Sequence, residues 1–360
     1  MKIDIWWDGL SGYAASSWRS LTQIQGVELN VIAIRLPQSS NTSFNDKLIS
    51  DLPVTLVSAS ELPKLVADRI RQPLPDIIFV SGWARKAYRD AVRKLALTKT
   101  RLVISIDNPW RSTLKQHFGI YALKPYVSKF DAALVPGERS WQYATRLGFR
   151  ERPVFKGLYG VDSSTIENLL SKRGDLKRGW PKSFLFVGRF VPEKDIKTLA
   201  IGYGKYRSMV SDPWSLDCVG TGPLKYLLED IPGVHLPGFV QPAEMPEFWL
   251  NSGAFVLPSS YDPWPLALVE AGRAGLPIIH STACGSAVEN VRDNYNGKQF
   301  NAGDSQALAN AFLFMHKNYS QLRLMGSRSM SLTESYTSES CAKNWFEVSQ
   351  SVLSLPKQRA

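Results

Sequence analysis

Three short segments of this 360-residue sequence place chemically useful side chains at fixed spacing. The first runs Phe186-Val187-Gly188-Arg189-Phe190-Val191-Pro192-Glu193-Lys194-Asp195. A short apolar run ends at Gly188, and two cations, Arg189 and Lys194, follow. A guanidinium grips phosphate through two parallel donors, and an ammonium adds a point charge. Asp195 stands where it can cap a helix opening at Ile196. The second segment is Val219-Gly220-Thr221-Gly222-Pro223, a glycine turn that leads from a strand into a helix. Backbone N–H groups at such a helix start suit an anion. The third runs from Leu257 to Ala271 and holds two carboxylates, Asp262 in a loop and Glu270 in the following helix. Carboxylates accept paired hydrogen bonds, which suits the vicinal hydroxyls of a sugar or a ribose. Val269 and Ala271 flank Glu270 in an apolar helix, where a carboxylate without a partner is costly. Taken singly, the first two segments also read as ordinary strand–helix loops whose glycines serve geometry alone.

These loops need strands and helices to hold them. In the first half, strands are predicted at Lys2–Trp7, Glu28–Arg35, Pro53–Val57, Asp76–Val80, Arg101–Ile106 and Asp131–Val135. Helices fall near 13–24, 60–72, 84–97 and 138–147. The second half repeats the plan. Strands are predicted at Ser183–Val187, Ser215–Val219, Ala254–Leu257, Pro277–His280 and Lys298–Phe300, with helices near 195–209, 222–229, 242–250, 265–274 and 304–317. Continuous apolar strands alternating with helices mean a parallel sheet covered on both faces. The fold class is therefore α/β, with two doubly wound domains. The predicted division is 1–165, 180–335 and a C-terminal helix and tail over 336–360. The join falls in the Gly- and charge-rich stretch near 157–182. Ligands of open α/β sheets bind beyond the carboxyl ends of the strands, where the three segments lie.

Composition narrows the classes. An apolar content of 44% and a charged content of 21% are those of a globular protein. The 3 Cys form no metal-ligand spacing and no even disulfide set, which suits a reducing compartment. No apolar run reaches the roughly 18 residues a spanning helix needs, and acids interrupt the N-terminal apolar stretch at once. The expected location is cytoplasmic, with peripheral contact at a membrane. The net charge is +11, and residues 1–180 carry all of it, with 27 Lys and Arg against 16 Asp and Glu. That asymmetry fits an anionic partner or a solubilising surface. In the basic half, Arg85, Lys86, Arg89 and Arg93 fall near one helix face. This face reads either as a dock for anionic headgroups or as the solvated side of a packed helix. Trp6, Trp7, Trp83 and Trp110 fall at strand ends and read either as a sugar platform or as core.

Taken together, the three segments resemble the family 4 (group 1) retaining glycosyltransferases. The strand-Gly-Arg-…-Lys-Asp segment, the Gly-Thr-Gly turn, Pro237-Gly238-Phe239-Val240 and the acid-x7-acid segment run in family order over roughly 183–300. Ala274-Gly275-Leu276-Pro277 and Glu289…Asn296-Gly297 are also similar to that family. The resemblance implies the GT-B architecture, two Rossmann-like domains facing a central cleft. The C-terminal helix carries Cys341, Trp345, Val348 and Val352 near helical spacing and reads as packing on either domain, with a return onto the N-terminal one as the expectation. It implies transfer of a hexose from a nucleotide-diphosphate-sugar, UDP- or GDP-linked, to a glycan or lipid-linked acceptor, as in polysaccharide biosynthesis. The donor falls to the C-terminal domain and the acceptor to the N-terminal one. Carried over by motif, Arg189 and Lys194 hold the diphosphate and Asp262 meets the donor sugar. Glu270 binds the ribose hydroxyls, and the Phe239-Val240 backbone meets the base. Gly188, Gly220, Gly222 and Leu266 line the same donor site. Gly12, in Asp8-Gly9-Leu10-Ser11-Gly12, matches the family's N-terminal glycine loop loosely. No tightly bound cofactor and no metal are expected.

The sequence also departs from the pattern. The first acid, usually Glu, is Asp262, and the usual Phe-Gly-Leu reads Trp264-Pro265-Leu266, so Pro265 removes a backbone N–H. Where many members have a His after the fifth strand, this chain has Asp107-Asn108-Pro109. Asp107 reads either as an acceptor-side residue or as a turn initiator. These departures leave open a non-catalytic relative that binds sugar or nucleotide. A nucleic-acid-binding protein using the basic half ranks last, because no RRM, KH or helix-turn-helix signature is present.

Overall fold

The computed structural model describes residues 1–35, 46–162 and 179–357. They divide into two units: residues 1–162 with 336–357, and residues 179–335. The charged stretch Arg173–Arg178, read above as part of the join, lies outside the described residues.

The first unit is built on seven parallel strands: β1 (Lys2–Trp7), β2 (Glu28–Ile34), β3 (Val54–Val57), β4 (Ile77–Ser81), β5 (Arg101–Ser105), β6 (Ala132–Val135) and β7 (Val154–Lys156). Their order is β3-β2-β1-β4-β5-β6-β7. In β1 the register is Ile3 against Leu29 on one side and Ile77 on the other. The central strands are buried on both faces, which is why their sequences read as unbroken apolar runs. Asp4 is the exception within β1, and Arg69 meets its buried carboxylate at 2.8 Å. The helices are α1 (Gly12–Thr22), α2 (Leu62–Arg69), α3 (Lys86–Leu95), α4 (Leu114–Val127) and α5 (Glu138–Arg146). One face of the sheet packs Trp6, Val80, Tyr88, Val92 and Tyr143; the other packs Ile5, Trp7, Trp18 and Phe79.

The second unit has six parallel strands: β8 (Ser183–Val187), β9 (Ser215–Val219), β10 (Val234–Gly238), β11 (Ala254–Leu257), β12 (Ile278–Ser281) and β13 (Gly297–Phe300). Their order is β10-β9-β8-β11-β12-β13. The helices are α6 (Ile196–Ser208), α7 (Met245–Asn251), α8 (Leu266–Arg273), α9 (Ala287–Asn290), α10 (Ser305–Lys317) and α11 (Leu322–Thr333). Both units therefore show the doubly wound strand order, which reverses between β1 and β4 and again between β8 and β11.

The last helix, α12 (Ser338–Ser354), belongs to the first unit although the whole second unit precedes it. Val161 pairs with Thr337 as a parallel bridge, and the Ser338 N–H donates to Val161 O at 2.9 Å. Thr337 caps the helix by accepting from the Ser340 N–H. Cys341, Trp345, Val348 and Val352 then close the apolar face that holds Trp7 and Phe79. The expected return of this helix onto the N-terminal domain is what the structure shows.

Five elements escaped the sequence reading: β7, β10, α4, the single-turn α9 and α11. β7 has three residues, and β10 carries Pro237 in an edge strand, where a missing donor is tolerated. α4 has apolar side chains all round, so no 3.6-residue pattern marks it. Conversely, the helix expected near 222–229 is a single 3-10 turn, Lys225–Leu227.

Candidate functional site

In the second unit the strand order reverses between β8 and β11, and the loops leaving these two strands carry the first and third segments. The chain leaves β8 through Gly188, whose N–H donates to Val219 O at 3.0 Å. Phe190 is buried and donates to Thr221 O at 2.7 Å, which ties the loop to the turn after β9. Arg189, between them, is exposed. Pro192–Lys194 forms a 3-10 turn, and Asp195, at φ 51°, caps α6 by accepting from the Thr198 N–H at 3.2 Å.

The glycine turn after β9 is shaped by close backbone approach. Gly220 and Gly222 have φ of 136° and 154°. A Cβ on Gly220 would stand 2.0 Å from Gly188 O, and one on Gly222 would stand 2.5 Å from Phe190 O. Both glycines are therefore required by φ and by space. The Gly220 N–H donates to Gly238 O at 2.8 Å, which sets half-buried Phe239 and Val240 beside this turn.

The loop after β11 is tied on two sides. Ser260 N–H donates to Glu193 O at 2.9 Å, and the Asp262 and Pro265 carbonyls accept from Gly285 N–H and Ser286 Oγ at 2.9 and 3.0 Å. A Cβ on Gly285 would lie 1.7 Å from Pro263 O, so only glycine fits this crossing. Held in this way, the Asp262 carboxylate meets the Lys194 ammonium across the switch point. Their side chains are 12% and 19% exposed, so the pair is largely withdrawn from water yet reachable. An ammonium has three donors, which leaves Lys194 able to hold a second anion. Pro265 is the N-cap residue of α8 and makes no side-chain cap, and half-buried Glu270 lies one turn on from buried Leu266. Cys284 sits behind the loop, where burial, and secondarily Asp262, pushes its thiol up to about 12. It is thus a packing group and not a nucleophile.

The profile of the family described as glycosyl transferases group 1 matches residues 181–318, the stretch that holds this cluster. Over that stretch the chain is similar to the group 1 glycosyl transferases. A GDP-mannose-dependent alpha-mannosyltransferase of Corynebacterium glutamicum is 30% identical over 151 residues, 40% of this chain and 34% of that protein. An uncharacterized glycosyltransferase of Methanocaldococcus jannaschii is 25% identical over 168 residues, 45% of this chain and 38% of that protein. The matched stretch thus spans little more than a third of either curated relative. Among solved structures, the pneumococcal O-GlcNAc transferase GtfA, in complex with UDP and GlcNAc, aligns at a TM-score of 0.76 and 11% identity over 98% of this chain and 99% of that one. Anabaena HepE in complex with UDP aligns at 0.73 and 17% identity over 98% and 100%. These structural likenesses show the GT-B glycosyltransferase fold.

The segments that follow β8, β9, β10 and β11 carry Gly188, Arg189, Lys194, Gly220, Gly222, Phe239, Val240 and Asp262 at the carboxyl ends of one sheet, with Leu266 and Glu270 in the helix α8 that follows β11. The other two candidates, Gly12 and Asp107, lie in the first unit, at the start of α1 and just after β5. The α1 N-cap is Ser11, whose side chain accepts from the Ala14 N–H. Asp107 reaches solvent, and its carboxylate accepts from Tyr159 Oη–H at 3.3 Å. The protein packed around it pushes its pKa up, and Asp8 adds to this, while the Tyr159 hydrogen bond works the other way. Sequence reasoning missed Tyr159; its one signal was a position just beyond β7 after Gly157-Leu158. It also missed the ion pair Asp8–Arg85 at 2.7 Å, which spans the β1/β4 switch point as Lys194–Asp262 spans that of β8/β11.

Two other sequence readings change. Trp6 and Trp7 are 0% and 8% exposed, so they are core and not a sugar platform. Trp6 stacks on Tyr88, and Trp7 packs on Trp18, Tyr159 and Trp345. The four cations read on this face are engaged within the unit: Arg85 with Asp8, Lys86 and Arg93 with Asp90, and Arg89 with the Trp83 and Ala84 carbonyls. Of the two readings of this face, the packed helix with a locally neutralised polar side is the one these contacts favour.

Proposed function

We propose that the protein is a retaining hexosyltransferase that takes a sugar from a nucleotide diphosphate and passes it to a glycan or lipid-linked acceptor. The observation that carries this reading is the Lys194–Asp262 pair at the reversal of the second sheet. An anion-binding cation and a hydroxyl-binding carboxylate stand side by side there, as the junction of a diphosphate with a sugar requires. Arg189 and Lys194 hold the diphosphate and take up charge as the anomeric C–O bond breaks, which is electrostatic stabilisation of a leaving group. Asp262, oriented by Lys194, receives the sugar hydroxyls. Glu270 receives the ribose hydroxyls, and the backbone at Phe239 and Val240 meets the base. Gly188, Gly220, Gly222 and Leu266 shape the walls, with the glycines keeping the backbone close enough to reach the phosphates. In the first unit, Gly12 and Asp107 serve the acceptor. The donor is UDP- or GDP-linked: the mannosyltransferase relative is named for GDP-mannose, and two structural neighbours hold UDP.

The deciding experiment is thermal melting with UDP, GDP, ADP and CMP, repeated in Glu270→Ala. A nucleotide at about a hundred times its dissociation constant stabilises the fold by roughly 2.7 kcal/mol. A shift with one nucleotide that vanishes in Glu270→Ala supports the donor site and names the base. No shift with any nucleotide, in folded protein, overturns it.

A further inference from the structure

Helix α4 presents an apolar stripe to solvent. Leu114, Phe118 and Tyr121 are 76%, 74% and 78% exposed. At 3.6 residues per turn, positions 114, 118, 121 and 125 fall on one line along the helix. Pro125, also exposed, extends the line. The opposite side is the anchored one: Tyr126 and Val127 are buried, and Ile120 and Leu123 pack on the core. Exposed Lys115 flanks the stripe on one side and exposed Lys124 and His117 on the other. No Asp or Glu occurs between Asp107 and Asp131, a stretch that also holds Arg111 and Lys129.

The helix is held rigidly at its start. Thr113 caps it by accepting from the Gln116 N–H. Gln116 donates to Pro109 O at 2.8 Å and accepts from the Arg111 N–H at 2.8 Å. His117 packs edge-on against Trp110 with ring centroids 5.0 Å apart, and Arg146 lies over the same indole. The large exposed side chains thus stand on a fixed support rather than on a frayed end.

We propose that this face of α4 seats the first unit on the surface of an anionic lipid bilayer. Leu114, Phe118 and Tyr121 enter the headgroup–acyl boundary, and Lys115 and Lys124 run their stems along the apolar stripe and place their ammonium groups among the phosphates. Charge complementarity selects this occupant. Three large apolar side chains between cationic flanks, in a sequence stretch without an acid from 108 to 130, match an anionic interface better than a second copy of the same cationic face. The interface does not depend on the donor reading.

Co-sedimentation of the full chain with vesicles tests it, comparing phosphatidylcholine alone with phosphatidylcholine containing phosphatidylglycerol. Binding is expected to the anionic vesicles and to fall as salt rises. The variant L114Q/F118Q/Y121Q is expected to lower partitioning by about tenfold or more with an unchanged melting temperature, because these side chains are already in water. K115E/K124E is expected to remove the preference for anionic vesicles. Absence of binding by the wild type, or equal binding by the triple variant, overturns the proposal. A dimer in solution that L114Q/F118Q/Y121Q splits, without vesicle binding by the wild type, overturns it too and assigns the face to a second copy.

Discussion

At the scale of single residues, the proposed chemistry of the second unit rests on Lys194 and Asp262. A cation and a carboxylate held this far out of water depend on each other, because removing one leaves the other desolvated and unpaired. Lys194→Met and Asp262→Asn are each expected to destabilise the protein. Their double-mutant cycle should show a coupling of about 0.5–3 kcal/mol, read from denaturant melts. Two independent effects that simply add would mean the pair is incidental. The same Lys194→Met, combined with Arg189→Ala, is expected to abolish donor turnover while nucleotide binding through Glu270 is only weakened. Turnover at the wild-type rate would remove both cations from the mechanism. The sequence brought Lys194 and Asp262 to attention through two separate segments, but their contact across 68 positions could not be read there.

At the scale of elements, the site depends on loops that cross within van der Waals contact. Gly285 is the tightest crossing, and any Cβ there meets the Pro263 carbonyl. Gly285→Ala should therefore displace the 262–265 loop. A loss of about 2 kcal/mol or more in a thermal or urea melt is expected, with donor turnover falling further than stability. An unchanged melting curve would show that the loop relaxes freely. The parallel strands were legible because burial on both faces writes apolar runs into the sequence. Helix α4 was not, since its buried side and its exposed stripe are both apolar. The exposed side of the same helix is the stripe on which the bilayer proposal rests.

At the scale of the whole molecule, a half-buried histidine is expected to make the second unit sensitive to acid. His316 on α10 lies against Trp214, and the Tyr206 hydroxyl is 2.8 Å from its Nδ1. Tyr206 Oη also accepts from the Trp214 N–H, which fixes the hydroxyl beside the ring. Burial lowers the ring's pKa below 6.5; Lys182 adds to this and Asp212 opposes it. A histidine harder to protonate when folded leaves stability intact above the unfolded value. Stability is lost as pH falls from there towards the folded one, because the unfolded chain then binds the extra proton. The wild type should lose stability as pH falls below about 6.5, and His316→Asn should flatten that slope. Parallel slopes in both proteins would exclude His316 as the source.

The sequence by itself determined the α/β class, the alternation of strands and helices, and the candidate donor-side residues. Each of these is written locally, as apolar runs, as glycine at forced turns and as charge just beyond a strand. It also placed Cys341, Trp345, Val348 and Val352 on one helical face. Tertiary structure decided what each local pattern meets. It set α12 against Trp7 and Phe79 in the first unit, across an intervening domain. It turned Trp6 and Trp7 inward, and it paired Arg85 with Asp8 and both Lys86 and Arg93 with Asp90. It left the Leu114–Tyr121 stripe of α4 in water. The physical reason is common to all four. Local sequence sets propensity and periodicity, whereas burial and ion pairing depend on which distant segment supplies the other half of the contact.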